Sequence, residues 1–214
     1  MALVKGNITA DVRTPAGSSY SFSHNQNVGA DGYLFVTIAC PSVNVSSVTY
    51  GNVAMTAVQT QATTYSAQWT VWKLAAPATG NNTLLVTLNS GSWNSTSTYC
   101  TSFTGCSGNG NTAYDGVAAN PVDATITISA NSMILGAVIG GNSTTANIEM
   151  PQGTARTLDY THNINNFTWG AVSPSLSAGS VICEANATAT NIIMLTEIQE
   201  AGGGVGARRK IWIV

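Results

Sequence analysis

His24 and His162 are the two side chains whose ordinary pKa lets them carry protons near neutral pH. Ser and Thr are so abundant that spacing singles out no nucleophile beside either one. No G-x-S-x-G elbow, H-E-x-x-H pair or paired-carboxylate motif occurs. No catalytic residue is assigned, the chain reads as non-enzymatic, and no cofactor is expected. Gly202–Lys210 has the glycines and lysine of a phosphate loop, but Ile211 stands where the hydroxyl ligand for magnesium belongs. Asp115 and Asp123 bracket a loop without calcium-ligand spacing, so they read as solvated acids. Cys40, Cys100, Cys106 and Cys183 form no C-x-x-C pair and stand apart from both histidines, which leaves no metal site. Met1–Asn7 turns polar too early for a secretory leader, so the cysteines are expected as free, buried thiols in a protein made in a cytoplasm.

Two other groups of residues suit binding. Trp93, flanked by Ser92 and Asn94, and Trp169 have the flat apolar ring that stacks on a sugar; in that reading the chain is a receptor- or carbohydrate-binding module. The second group is Arg208, Arg209, Lys210, Ile211, Trp212, Ile213 and Val214, three cations followed by an apolar run of high β propensity. Such a run, left in water, is an aggregation site, so it is expected to dock on its own domain or on another subunit by strand addition. Gly202–Gly206 is the flexible linker before it and spans about 17 Å when extended. The other four cations, Lys5, Arg13, Lys73 and Arg156, are outnumbered by the nine acids, which makes an acidic body with a basic tail. Duplex nucleic acid, which demands a broad basic surface, is not expected as a partner on that balance.

The elements that must position these residues are strands. The chain is 44% hydrophobic but 7% charged, against about 25% charged in ordinary soluble domains; its skin must be built from Ser, Thr, Asn, Gly and Ala. Apolar residues recur at every second position and helical spacing is absent. Gly32–Cys40 and Ser132–Ile139 are apolar on both faces and predict buried strands. Thr83–Leu88, Thr98–Phe103, Ala124–Ile128, Phe167–Ser173, Gly179–Ala187 and Asn191–Gln199 predict others, with Gly105–Pro121 an irregular segment and Ser107–Asn111 a plain loop. Ser47–Leu74 organises the set: Gly51-Asn52 between β-branched runs is a two-residue hairpin signal. Trp69 and Val71 fall on one face of a strand, Trp72 and Leu74 on the other, so both faces must be covered. The expected fold is all-β, an antiparallel β-sandwich of jelly-roll type, one domain over 1–201 with a tail over 202–214. The longest apolar stretch, Met133–Ile139, is far short of the ~20 residues that span a bilayer, and no membrane partner is expected.

Val48-Thr49-Tyr50-Gly51-Asn52-Val53-Ala54-Met55-Thr56, followed by Val71-Trp72-Lys73-Leu74-Ala75-Ala76-Pro77, resembles a β-sandwich domain of phage structural proteins and secreted bacterial surface proteins. The pattern there is V-T-Y-G-G-V-A-L-T, then I-W-Y-L-x-x-P; Asn52, Met55 and Lys73 depart from it. Ser102–Cys106, Asn120–Asp123 and Asn131–Ile134 are similar to later parts of the same family, so the likeness covers about residues 20–200. It implies a jelly-roll virion component, with no catalytic residue to carry over. On that expectation the chain is a structural protein that decorates or cements a tailed-bacteriophage capsid. It is assembled in the host cytoplasm as a homo-oligomer, a trimer, against the major capsid protein or other virion proteins.

Overall fold

A computed structural model describes residues 2–13, 17–29, 31–40, 43–62, 68–90, 96–119, 121–140, 146–156, 159–164, 166–187 and 191–202; for 117–119, 140, 146–147, 160–164, 166–169, 186–187 and 191 it describes the backbone alone. The described chain is all-β, with every sheet antiparallel. Its first half holds β1 (Val4–Arg13), β2 (Ser19–Gln26), β3 (Gly32–Cys40), β4 (Val45–Tyr50), β5 (Val53–Ala54), β6 (Thr56–Ala62), β7 (Gln68–Ala75), β8 (Gly80–Leu88) and β9 (Thr96–Thr104). The second half holds β10 (Cys106–Ala119), β11 (Val122–Ile128), β12 (Met133–Gly140), β13 (Ala146–Glu149), β14 (Tyr160–Ile164), β15 (Asn166–Val172), β16 (Gly179–Ala187) and β17 (Asn191–Glu200).

The halves repeat one strand order. The first forms an inner sheet β1-β9-β3-β7-β6 and an outer sheet β2-β8-β4-β5; the second forms an inner sheet β10-β17-β12-β15-β14 and an outer sheet β11-β16-β13. Replacing β1, β2, β3, β4, β6, β7, β8 and β9 by β10, β11, β12, β13, β14, β15, β16 and β17 turns one order into the other. The short β5 also has a counterpart, because Ala155 bridges Glu149 and Arg156 N–H donates to Ile148 O at 2.9 Å. Gly105 alone joins β9 to β10, at φ 64°, a conformation that favours glycine.

Alternating side chains build three cores between the four layers. Leu34, Val36, Ile38 and Cys40 of β3 meet Tyr20, Val48, Tyr50, Leu84 and Val86 between the first outer and inner sheets. Ile126, Val138, Ile148, Cys183, Ile193 and Leu195 fill the equivalent space in the second half. The third core lies between the two inner sheets, where Phe35, Trp69, Val71, Tyr99 and Phe103 face Leu135, Ile139, Ile192, Met194 and Ile198. β3 and β12 are therefore apolar on both faces, as Gly32–Cys40 and Ser132–Ile139 predict. Trp69 enters the central core and Trp72 packs against the first, the two-sided burial their spacing requires. Removing Trp69 would cost about 3–5 kcal/mol by the usual scale for a buried aromatic.

Polar pins cross the central layer at both margins. Lys5 Nζ pairs with Asp159 Oδ1 at 2.5 Å, and Tyr99 OH donates to Asp159 Oδ2 at 3.1 Å. At the opposite margin Gln59 Nε2 donates to Leu195 O and Thr196 Oγ1, at 3.0 and 2.8 Å, and Tyr114 OH donates to Ala62 O at 3.1 Å. These margins are equivalent under exchange of the halves: β1 and β9 reach the entry of β14, while β10 and β17 reach β6. The central layer thus has the reciprocity of a two-fold dimer interface.

The Gly51-Asn52 hairpin forms as expected, with φ of 54° and 65° and Tyr50 paired to Val53. Gly105–Pro121 departs from expectation. Instead of an irregular segment with a plain loop at Ser107–Asn111, Cys106–Ala119 is β10, paired along β17 with three register shifts. Its glycines do not break the strand because β17 supplies a continuous ladder and the bulges absorb the irregular residues. At Gly110 a Cβ would overlap the Glu197 carboxylate, so the missing side chain makes room for another.

Candidate interaction surfaces

The residues singled out from the sequence are scattered. Arg208, Arg209, Lys210, Ile211, Trp212, Ile213 and Val214 lie outside the described residues, as does Trp93. Trp169 is in β15, its backbone paired to Val138 and Thr161, and His162 is in β14 opposite Thr168. Asp115 does not border a loop: it is in β10 of an inner sheet, whereas Asp123 is in β11 of the outer one. Among the described residues no group of three His, Cys, Asp or Glu side chains is placed to hold a metal ion.

His24 is inside the first half. It is fully buried, its Nδ1 lies 2.8 Å from Thr9 Oγ1, and its ring meets Tyr50 edge-on at 6.0 Å. Burial lowers its pKa, so the ring is neutral at pH 7 and sealed from any solvent-borne substrate. The four thiols are free and buried, as the sequence reading expects. Burial pushes Cys40 and Cys183 up to about 12 and Cys106 to about 11, and raises Cys100 as well, so all stay protonated and unreactive near neutrality.

Sequence reasoning passed over Glu197, whose side chain is enclosed between β10 and the turn after β11. Burial alone would raise its pKa. The N–H groups of Ser129 and Asn111, at 2.6 and 2.9 Å, and the Ser132 hydroxyl, at 2.8 Å, overcome that and hold it below the ordinary value. Its role is to fasten β10 at Asn111 and the turn at Ser129–Ser132 to β17, and only the glycine opposite it hints at this in the sequence.

Two broad faces remain, and they differ. On the first outer sheet Ser19, Ser21, Ser23 and Asn25 stand opposite Thr87, Leu85, Thr83 and Asn81 of β8, with Ser47 and Thr49 of β4 on the other side. None of its four strands contains Asp, Glu, Lys or Arg. The second outer sheet presents Thr125, Thr127, Ser180 and Ile182, but also a transverse row in which Asp123 pairs with Glu184 and Glu184 with Glu149. Ser-x-Ser-x-Ser in β2 signals the first face at sequence level; the acid row is invisible there because its members are far apart in the chain.

One concavity lies where the halves meet. Asp31, Tyr33, Ala75, Ala76, Gly105, Cys106 and Ala201 line a cavity of about 260 Å³. Ala201 N–H donates to Gly105 O at 2.7 Å, so the end of β17 forms part of the wall.

No family model, curated protein or solved structure matches the chain.

Proposed function

We propose that the chain is a non-enzymatic structural component of a virus particle, a capsid decoration or cement protein of a tailed bacteriophage that works as a homo-oligomer through surface burial. The observation that carries this reading is the charge-free outer face on β2, β8 and β4. Burying ions against a neighbour costs several kcal/mol per charge unless each finds a partner. A sheet face of hydroxyls and amides avoids that penalty, and each group can exchange a water for a hydrogen bond across the contact. Leu85, 36% exposed at its centre, adds an apolar contact point. The strand order is compatible with the sandwich architecture expected of such proteins: in each half the chain crosses repeatedly between two facing antiparallel sheets, staying within one sheet only at β4-β5, β6-β7 and β14-β15. The phage-family resemblance over Val48–Pro77 points the same way.

The reading predicts that the protein is found in purified particles by mass spectrometry. Ser21 and Thr49 flank Leu85 on neighbouring strands and are not in the core. Placing charge there with S21K/T49K is expected to reduce particle occupancy about tenfold or more, the effect of roughly 1.4 kcal/mol or more per copy, while thermal unfolding of the isolated protein is unchanged. Absence from particles, or undiminished occupancy of the double variant, would overturn the proposal.

A further inference from the structure

We infer that the charge-free outer sheet packs face to face against the same sheet of a second copy, related to it by a two-fold axis. The inference rests on the proposed reading of that face as a contact surface, and it names the partner. In a two-fold contact one patch meets itself, so each group must complement groups of its own kind. Hydroxyls and side-chain amides meet that condition because each both donates and accepts hydrogen bonds. Ser21, Asn25, Asn81 and Thr83 are exposed and Thr49 is half-buried, and all five are of that kind. Leu85 stands between Ser21 and Thr49, 36% exposed, and supplies an apolar contact that meets its own copy without penalty.

The second outer sheet fails the same condition. Asp123, Glu184 and Glu149 form a row across β11, β16 and β13. Carboxylates accept hydrogen bonds but donate none, and like charges brought face to face repel. Pairing through the neutral sheet therefore leaves an acidic sheet at each end of the pair, which stops it from growing into an open stack. Size sets the strength. Strands about 4.8 Å apart with a rise of ~3.3 Å per residue give β2, β8 and β4 a footprint of roughly 400 Å² on each copy. That is the extent of a weak contact, so dilute protein is monomeric and pairs form where copies are concentrated.

The test follows the mass of the full chain by sedimentation velocity, from dilute protein up to about 1 mM. Wild type is expected to pass from one chain to two and no further. S21K/T49K and S21E/T49E each set like charges against one another, whether β2 of one copy meets β2 or β4 of the other. Each variant alone is expected to raise the dissociation constant about tenfold or more. Mixed in equal amounts, the two bring opposite charges together and are expected to pair again, one copy of each. A wild type that stays monomeric or grows past two chains would overturn the inference, as would pairing that either variant leaves intact or a mixture that fails to pair. Particle occupancy separates this outcome from that of the reading beneath it. Wild type that stays monomeric, with occupancy that still falls in S21K/T49K, assigns the face to another virion protein; the inference then fails and the particle reading stands.

Discussion

At the residue scale, His24 is the group whose burial has a measurable consequence. Among the described residues its Nε2, and both amide atoms of the neighbouring Gln26 side chain, are buried without a hydrogen-bond partner, and burial is the main cause that disfavours its proton. The folded pKa is lowered and the unfolded value is near 6.5. Below that pH the unfolded chain binds a proton that the fold refuses, so stability falls from about pH 6.5 downward and levels once the folded pKa is passed. Unfolding free energies from urea titrations should fall between pH 7 and 5 with a slope of at most about 1.4 kcal/mol per pH unit from this group. His24→Gln should flatten that part of the profile, and an unchanged slope would refute the assignment. Because His162 is present in both proteins, the difference isolates His24. Identity and spacing made His24 visible as a titratable group; its enclosure depends on Thr9, Tyr50 and Gln26 coming together, which no local pattern announces.

At the element scale, β10 shows how a poor strand sequence is made into a strand. Ser107-Gly108-Asn109-Gly110-Asn111 has the composition of a loop, yet it pairs along β17 because Glu197 grips the Asn111 N–H and the turn at Ser129–Ser132 together. Glu197→Ala would leave two backbone N–H groups in a confined site without their acceptor, and urea unfolding should report a loss of about 2–4 kcal/mol. Since the folded pKa of Glu197 is lowered, its contribution is present above the unfolded value and fades as pH falls through the folded one. Glu197→Gln should remove that acid-side dependence even where its stability at pH 7 is close to wild type. The strands with strong alternation, Gly32–Cys40 and Ala124–Ile128 among them, were legible because burial on a sheet writes a period of two into the sequence. β10 was not, because its conformation is imposed by side chains some ninety residues away: |i−j| is 86 for the Asn111 contact.

At the scale of the whole molecule, the repeated strand order is the feature the sequence conceals most completely. The tight Gly51-Asn52 turn of the first half is answered in the second by the longer Met150–Thr154 turn, and the Ser-rich β2 by the Asp123-bearing β11. Sheets require only that inward positions be apolar, so repeats can lose resemblance while keeping their topology. The shared core makes a direct prediction. Expressed alone, residues 1–104 would expose Phe35, Trp69, Val71 and Phe103, a patch of the size that drives association. The separate halves should aggregate or self-pair, and on co-expression form a one-to-one complex by sedimentation; two stable monomers would contradict the central core. A pair of identical sandwiches joined in this way would look the same from either end. Here one end is neutral and the other carries Asp123, Glu184 and Glu149, so the molecule has a direction. A symmetric dimer laid on a surface could not tell up from down, whereas the two unlike ends of this chain, one neutral and one acidic, are chemically distinguishable.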